Sequence, residues 1–430
     1  MRILIKGGRV IDPASRIDAV RDIYIEEGTI KKVSANLKLN KTNIKVIDAR
    51  GKVVVPGLID MHTHLREPGR EDEETIASGT RAACQGGFTS VCCMPNTQPV
   101  TDNQAQVEFV MSKAQKEGWV NVYPIGAITK GLSGEELSPI GELKEAGVVG
   151  ITDDGEPVAN SMIMRRALEY SKMFKLPVIS HCEDKNLSVD GLMNEGYFST
   201  ILGMRGIPRQ AEEITVSRDI MLAGMTGGHL HIAHVSTAGS VEMIRRAKRM
   251  NIKVTAETAP HYFTLTEDAV KTYDTNTKMN PPLRTASDVK AIKRGLQDGT
   301  IDCIACDHAP HLDEEKNQEY ELAPFGIIGL ETSLPLILTE LVDKKVLTLR
   351  EAIKKVTLNP ARILGLHKGT LAVGADADIT IIDTRLTKTI DKFESQSKNS
   401  PFIGYKLKGF ACYTIIGGRI CLAEGALVSR

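Results

Sequence analysis

Eight short apolar runs, each ending in polar or charged residues, alternate with longer segments along the middle of the chain. The longer segments, such as DNQAQVEFVMSKAQKEG and SVEMIRRAKRM, carry apolar residues at spacings of three and four, which is typical of amphipathic helices. Strands that alternate with helices predict a parallel sheet, and eight such units predict a closed α/β barrel of the TIM (β/α)8 type. The eight runs are GLIDMHTHL, FTSVCCMPN, NVYPIGAIT, GVVGITDDG, LPVISHCED, GHLHIAHVS, IKVTAETAPH and IDCIACDHAPH.

An open, doubly wound sheet is the alternative fold for such alternation. It normally uses fewer strands and often carries a glycine-rich phosphate-binding turn after the first one. No GxGxxG motif follows the first run here, so the barrel is favoured. In a barrel of this type the C-terminal ends of the strands line the active site, and we expect functional residues at the ends of the eight runs.

Short strand patterns separated by glycine turns fill both ends of the chain. They include RILIKGG and DIYIEEGTI near the start, and TLAVGADADITIID and ACYTIIGGRICLAEGALV near the end. We expect the two ends to pair into one small β-sandwich domain. The predicted domains are therefore residues 1–55 (first part of the β-sandwich), residues 56–366 (barrel) and residues 367–430 (second part of the β-sandwich).

The composition narrows the class of ligand. Lysine plus arginine equals aspartate plus glutamate at 54 each, so no global field attracts nucleic acid or an anionic membrane surface, and a small-molecule substrate is expected. The eight cysteines and the strand-like N-terminus predict a reduced, cytoplasmic enzyme with no signal peptide or membrane span. Cys303 and Cys306 form a single CxxC inside an apolar run, which is weak support for a redox or structural zinc site.

Histidines and aspartates occupy the ends of five of the runs. His62 and His64 are two residues apart on a strand, so both side chains can face the barrel axis and bind one metal ion. Any one of these residues alone is better explained as a hydrogen-bonded core or loop residue. Together they converge on one small volume, where unpaired burial would cost about 1–3 kcal/mol each. The residues at these ends are His62, His64, Asp153, Asp154, His181, His234, Asp307, His308 and His311.

Imidazole and carboxylate ligands without a thiolate cluster favour a catalytic zinc or similar divalent ion over a structural one. Two ions that share a carboxylate could hold a bridging hydroxide, because coordination lowers the pKa of water from about 15.7 to about 7. Such a site can attack an amide carbonyl near neutral pH.

Four further histidines are left out of the metal set. Strand parity puts His229 and His231 on one face and His234 on the other, and we expect the first two at outer or edge positions. His261 and His367 need no functional explanation.

Several motifs spread along the chain resemble the bacterial dihydroorotases of the amidohydrolase superfamily: GLIDMHTHLREPG, CMPNT, TDDG, SHCED, HIAHVST, MNPPLR, DHAPH and PFGIIGLET. The resemblance implies the reversible cyclisation of N-carbamoyl-L-aspartate to L-dihydroorotate, a step of pyrimidine (UMP) synthesis, with a bridging hydroxide as nucleophile. It also implies two Zn²⁺ ions: His62 and His64 on the first, His181 and His234 on the second, and Asp154 between them. Asp307 would bind the first ion and act as general acid/base.

The same resemblance implies which residues contact the substrate. Arg66, Asn96 and His311 would bind its carboxylate, for which a guanidinium fork is well suited. The full implied set is His64, Leu65, Arg66, Asn96, Asn280, His311, Phe325 and Gly326. From spacing alone, the segments around Asn280 and Phe325 are equally well explained as a turn and a loop.

Three points stay open at the sequence level. Spacing does not decide whether Asp153 or Asp154 faces inward. A hydantoinase or allantoinase would use the same metals, although hydantoinases bridge them with a carboxylated lysine where this chain has aspartates; Lys130 is the remaining, less favoured candidate for that modification. A dihydroorotase-like scaffold that holds aspartate transcarbamoylase is the non-catalytic alternative, and we also expect a homo-oligomer.

Overall fold

The computed structural model describes residues 1–38 and 43–428. Its strands, in chain order, are β1 (Arg2–Asp12), β2 (Ile17–Glu26), β3 (Thr29–Ser34), β4 (Lys45–Asp48), β5 (Val53–Pro56), β6 (Leu58–Thr63), β7 (Phe88–Cys93), β8 (Asn121–Pro124), β9 (Ile151–Thr152), β10 (Val178–Ser180), β11 (Met193–Asn194), β12 (Gly206–Ile207), β13 (Leu230–Ile232), β14 (Val254–Thr258), β15 (Cys303–Ile304), β16 (Ile379–Thr389), β17 (Lys406–Ile416), β18 (Arg419–Ala423) and β19 (Ala426–Leu427).

The α-helices are α1 (Ile76–Gly86), α2 (Gln104–Glu117), α3 (Ile140–Ala146), α4 (Ser161–Met173), α5 (Lys185–Ser188), α6 (Tyr197–Leu202), α7 (Gln210–Thr226), α8 (Ala238–Arg249), α9 (Pro260–Thr264), α10 (Ala286–Asp298), α11 (Asp313–Lys316), α12 (Leu330–Ile337), α13 (Leu349–Lys355) and α14 (Leu358–Leu364). Short 3-10 helices cover Lys130–Leu132, Glu267–Thr272 and Thr275–Thr277, and a π-helix covers Leu338–Val342. Within the described ranges, no helix is both long and apolar enough to cross a bilayer.

The predicted barrel is confirmed, and each of the eight runs contains one of its strands. Strands β6, β7 and β8 pair in parallel in one sheet, and strands β9, β10, β13, β14 and β15 pair in parallel in another. Parallel bridges between Gly126 and Ile151 and between Thr63 and His308 connect the two sheets, so the barrel closes on itself. Helices α1, α2, α3, α4, α7, α8, α10 and α12 follow the eight strands in turn.

Helix α1 shows how local sequence sets these elements. Its N-cap Thr75 accepts a hydrogen bond from the backbone N–H of Ser78, whose hydroxyl accepts one in return from the N-cap, forming a capping box. The helix ends at Gly87, which has a φ of 90° that glycine adopts without strain. The capping box at Thr75 thereby fixes the end of the turn between β6 and α1, and this turn contributes to the site below.

Two layers of apolar side chains surround the barrel strands. Buried residues inside the barrel, including Met61, Ile179 and Cys303, form one cluster, and a larger cluster fills the space between strands and helices. Cys303 and Cys306 fall in different clusters and both are free thiols, so the CxxC does not form a joint site.

The two ends of the chain form one nine-stranded sheet, as predicted. Strand β5 pairs with β16 in antiparallel fashion, with Val54 opposite Ile381, and this pairing joins the N-terminal and C-terminal strands. Strand β1 pairs with β2, β4 and β5, and its register shifts between Ile5 and Gly8. A separate apolar core with residues from both ends lies against this sheet.

Residues 390–405, between β16 and β17, lie against the barrel. Phe402 is buried in a cluster with Leu265 and Met279, and the Asn399 amide donates to Gly326 O at 3.1 Å. This segment brings the C-terminal part of the chain to the C-terminal end of the barrel strands. The exact domain boundaries stay a prediction.

Candidate metal centre and substrate pocket

Six predicted ligands lie together at the C-terminal ends of the barrel strands. Because the strands are parallel, these ends meet at one mouth of the barrel. Five of the side chains are buried, and Asp307 is partly buried. The six are His62 in β6, His64 just after it, Asp154 after β9, His181 after β10, His234 after β13 and Asp307 after β15.

Asp154 lies at the centre of this cluster. Its Oδ1 is 3.3 Å from His62 Nε2, 3.7 Å from His181 Nδ1 and 3.8 Å from His234 Nε2, and its Oδ2 is 3.5 Å from His64 Nε2. Burial acts to raise the pKa of this carboxyl, but the nearby imidazoles of His62, His181 and His234 outweigh it and hold the pKa well below its usual range. The carboxylate is therefore ionised.

Asp307 forms the other side of the cluster. Its Oδ1 is 3.2 Å from His64 Nε2 and 3.5 Å from His62 Nε2. Within this cluster of six, two sets of three residues have ligand atoms within 4.8 Å of one another: His62 with His64 and Asp307, and His62 with Asp154 and His234. Both sets are candidate metal sites.

The donor set fits a divalent metal ion. His62 Nε2 and Asp154 Oδ1 are buried and lack a hydrogen-bond partner among the described residues. Orphaned buried polar atoms are costly, and a cation between them would satisfy both. The donors are imidazole nitrogens and carboxylate oxygens, the ligand types that zinc and related ions accept.

The second aspartate of the TDDG motif faces away from the cluster. Asp153 Oδ1 accepts hydrogen bonds from the backbone N–H groups of Ile128 and Thr129 at 2.8 and 3.0 Å. Burial raises the pKa of Asp153 to about 6. Its role is to tie the end of β9 to the loop after β8, and Asp154 is the residue that faces inward.

Two of the clustered imidazoles are held on their far side by carboxylates that sequence reasoning missed. Glu257 Oε1 is 3.0 Å from His62 Nδ1, and Glu183 Oε2 is 3.2 Å from His181 Nε2. A carboxylate in this position fixes the tautomer and orientation of a metal-binding histidine. Glu257 lies in the seventh run, and Glu183 lies two residues after His181. Their positions at strand ends are the sequence feature that could have identified them as site residues. Lys185, 3.1 Å from Glu183, was also missed.

One expectation about the histidines is wrong. His231 is fully buried, with Nδ1 2.9 Å from Thr255 Oγ1 and Nε2 3.3 Å from Glu257 Oε2, rather than at an outer or edge position. Strand parity fails because β13 ends at Ile232 and the backbone of His234 has a φ of 31°, which turns it out of the strand. His231 and His234 therefore both point into the barrel.

His308 is a structural residue. Its Nδ1 accepts a hydrogen bond from Gly329 N at 3.1 Å, and its Nε2 is 3.3 Å from Glu74 Oε2. Lys130 lies away from the cluster, in an exposed ion pair with Glu136.

A cavity of about 270 Å³ opens beside the cluster. It contains most of the predicted substrate contacts. Leu65 is the exception, because its side chain is buried in the apolar layer outside the strands. The lining residues are His64, Arg66, Asn96, Asp154, Gly155, His181, Lys185, His234, Asn280, Asp307, Ala309, His311, Phe325 and Gly326.

Arg66 is paired within this cavity. Its Nε is 2.9 Å from Glu73 Oε2 and donates to Pro310 O at 3.1 Å, and its Nη2 is 3.4 Å from His311 Nε2. The buried guanidinium therefore already has an anionic partner in Glu73, and a neutral substrate would not leave it as an unpaired buried charge.

The other predicted contacts are held by hydrogen bonds. Asn96 Oδ1 accepts from His64 Nδ1 at 2.9 Å, and Asn280 Nδ2 donates to Glu183 at 3.1 Å. Gly326 has a φ of 131°, and a Cβ there would lie 3.0 Å from His311 Nε2, so only glycine fits.

Solved structures of similar fold include hydantoinases and dihydropyrimidinases. L-hydantoinase (dihydropyrimidinase) from Arthrobacter aurescens superposes with a TM-score of 0.90 at 25% identity, covering 100% of this chain and 97% of that one. A dihydropyrimidinase from Brevibacillus agri superposes with a TM-score of 0.86 at 22% identity, covering 100% and 96%, and this second likeness shows the fold alone.

Sequence relatives are much more similar. Residues 51–240 match the family described as dihydro-orotase-like, and residues 326–421 match the amidohydrolase family. A dihydroorotase from Endomicrobium trichonymphae is 64% identical over 98% of this chain and 99% of its own length, and one from Pelotomaculum thermopropionicum is 58% identical over 99% of both. The resemblance found in the motifs is thus confirmed along the whole chain, which belongs to the dihydroorotase family of amidohydrolases.

Proposed function

We propose that the protein is a dihydroorotase that interconverts N-carbamoyl-L-aspartate and L-dihydroorotate with loss or gain of water. The observation that carries the proposal is the group of imidazoles around Asp154, which lies next to a cavity with Arg66 and His311 on its wall. Relatives with that name and more than half of their residues identical support the same activity.

Two zinc ions fit the donor set. His62, His64 and Asp307 would hold the first, His181 and His234 the second, and Asp154 faces both groups. When bound, such ions polarise a carbonyl and lower the pKa of water from about 15.7 to about 7. The chain supplies the orientation of the ligands through Glu257, Asn96 and Glu183.

Asp307 is the proposed general acid/base. Burial acts to raise the pKa of its carboxyl, but His62 and His64 outweigh burial and hold the pKa below its usual range, so the group is ionised and able to accept a proton. In ring opening it takes the proton of the attacking water and gives it to the leaving amide nitrogen. In ring closure the same transfers run in reverse.

Arg66, Asn96 and His311 are the proposed contacts of the substrate carboxylate. The Nη side of Arg66 would bind the carboxylate, together with His311 beside Nη2, since Nε contacts Glu73 and Pro310 O. Asn280, Phe325 and Gly326 line the cavity and are the proposed contacts of the pyrimidine ring, and Leu65, whose side chain is buried elsewhere, would contribute through its backbone.

We further propose that the enzyme works in the cytoplasm as a homo-oligomer. Association with aspartate transcarbamoylase would add to this activity rather than replace it, because all six proposed ligands are present.

The test is to measure bound metal and ring opening of L-dihydroorotate in one preparation, beside hydantoin, dihydrouracil and allantoin. We expect about two metal ions per chain and selective turnover of dihydroorotate. Turnover of a neutral ring instead would move the protein to the hydantoinase side. A metal-loaded chain that turns over none of the four, alone or with aspartate transcarbamoylase added, would contradict the proposal.

A further inference from the structure

Glu73 lies behind the cavity wall, in the turn between β6 and α1. The residue is only 1% exposed, and its two carboxylate oxygens contact different partners. Oε2 is 2.9 Å from Arg66 Nε, and Oε1 is 2.9 Å from His311 Nδ1. Arg70, at the edge of the same turn, adds a contact of 3.1 Å between its Nη2 and Oε1.

We propose that Glu73 is a positioning residue that sets the carboxylate-binding face of the pocket by holding Arg66 and His311 in one fixed arrangement. This inference rests on the proposed function for the identity of the substrate carboxylate. Glu73 does not line the cavity, so it acts through these two side chains.

The effect on Arg66 is to select which edge of the guanidinium is free. Glu73 and Pro310 O both occupy Nε, so the side chain is anchored at its inner end. Glu73 also gives the buried positive charge of Arg66 an anionic partner before substrate binds, which removes the large cost of an unpaired buried charge. The Nη side of the guanidinium, where Nη2 also lies 3.4 Å from His311 Nε2, then faces an incoming carboxylate, and a planar fork at fixed orientation can bind it bidentately.

The effect on His311 is to fix its tautomer. A carboxylate 2.9 Å from Nδ1 keeps a proton on that nitrogen. Nε2 then lies on the cavity side, 3.4 Å from Arg66 Nη2 and 2.7 Å from Phe325 O. Because carbonyl and carboxylate oxygens only accept, Nε2 donates to Phe325 O or to a substrate carboxylate only when the ring carries its second proton. One carboxylate therefore orients both polar groups that we assign to the substrate's anionic end.

The kinetic test compares Glu73→Gln with the wild type, with L-dihydroorotate as substrate. Charge-assisted hydrogen bonds to a buried group are strong, so we expect KM to rise at least about tenfold while kcat changes less than about threefold. Asp72→Asn is the matched control: it removes one negative charge from the neighbouring position of the same turn, where the side chain is 51% exposed and forms an ion pair with Arg70 at the surface. This control should leave KM unchanged. An unchanged or lower KM in Glu73→Gln, or a loss confined to kcat, would overturn the proposal.

A double variant separates positioning from general damage. If Glu73 acts through Arg66, the increases in KM for Glu73→Gln and Arg66→Lys should be less than multiplicative when combined. Fully multiplicative effects would show that Glu73 does not act through Arg66.

A readout without turnover keeps this inference separate from the proposed activity. In protein labelled with ¹⁵N at histidine, with the His311 signals identified from their absence in His311→Gln, we expect a protonated Nδ1 in the wild type and a changed tautomer distribution in Glu73→Gln. Identical His311 signals in both would refute the role of Glu73, whatever the enzyme turns over. Absence of wild-type dihydroorotate turnover with a changed tautomer would refute only the proposed function.

Discussion

The two inward aspartates of the site differ in their surroundings. Asp154 is buried among four imidazoles, whereas Asp307 contacts two and is partly exposed to the cavity. A carboxylate that is enclosed by imidazoles, as Asp154 is, can hold those side chains together. A carboxylate at the cavity surface can reach a substrate atom, and this difference supports the separate roles proposed above.

Replacing Asp307 with Asn removes the proton acceptor and keeps the shape. We expect kcat for dihydroorotate to fall by about 10²–10⁴-fold, the usual contribution of general acid/base catalysis, with an unchanged circular dichroism spectrum. Asp313→Asn, in the exposed first turn of α11, is the control with the same charge change. A near-normal rate in Asp307→Asn would refute the proton-transfer role.

Glu257 is predicted to control metal affinity through His62. Burial acts to raise the pKa of Glu257, but the nearby imidazoles of His231 and His62 outweigh it and bring the pKa to about 2, so the carboxylate is ionised. Loss of such a partner weakens metal binding by about 10–100-fold. We expect that loss in Glu257→Gln, measured by competition with a chelator, and none in Glu242→Gln on the outside of α8. Equal affinities in both would contradict the role.

The ligands could be predicted from sequence because strand ends in a barrel meet at one mouth, and because the motifs resemble a known family. The roles of Glu257 and Glu73 could not be predicted in this way, because each carboxylate contacts a residue from another strand or loop that lies far away in the sequence. His231 was misplaced because parity holds only while the backbone stays extended, and β13 ends before His234.

At the scale of elements, the loop that carries Phe325 is held by two buried lysines. Lys278 is 2% exposed, and its Nζ donates to Tyr320 O, Glu321 O and Ala323 O at 2.6–2.9 Å. Lys316 is 4% exposed, and its Nζ donates to Pro324 O and Gly326 O at 2.9 and 3.1 Å. Burial lowers the pKa of Lys278 to about 8 and that of Lys316 to about 7. The loop is therefore tied down at five carbonyl groups.

Lys278→Met should loosen this loop by leaving three buried carbonyl oxygens unpaired. We expect faster cleavage between residues 317 and 326 in limited proteolysis, and a higher KM because the backbone at Phe325 and Gly326 is less ordered. Lys271→Met is the control, since Lys271 is exposed and forms only a surface ion pair and a ring contact. Equal cleavage rates in both variants would argue against the lysine clamp.

At the scale of the whole molecule, the terminal sheet depends on contacts between distant parts of the sequence. Ile381, in β16, is fully buried and lies opposite Val54 of β5. Ile381→Ala should lower the free energy of unfolding by about 2–5 kcal/mol, as expected for a cavity in a packed core, and leave the KM of the folded protein unchanged. Thr387→Ala, at an exposed position of the same strand, should change stability by less than about 0.5 kcal/mol in denaturant titrations. Equal losses in both variants would contradict the expected core contribution.

This sheet could be predicted because both ends of the chain show alternating apolar and polar residues separated by glycine turns, and such patterns are local signals. The position of residues 390–405 against the barrel could not be predicted in this way. That segment has no helix or strand period, and its attachment depends on side chains such as Asn399 and Phe402 finding partners far away in sequence.

The pairing of β5 with β16 also has a consequence for synthesis on the ribosome. At roughly 5–20 residues per second, a chain of 430 residues takes about 20–90 s to make, and β1–β5 emerge near the start of that interval. The apolar face of these strands stays without its C-terminal partners until the barrel has been translated. We therefore expect nascent chains stalled before β16 to bind chaperones that recognise exposed apolar strands, and full-length released chains to lose that binding.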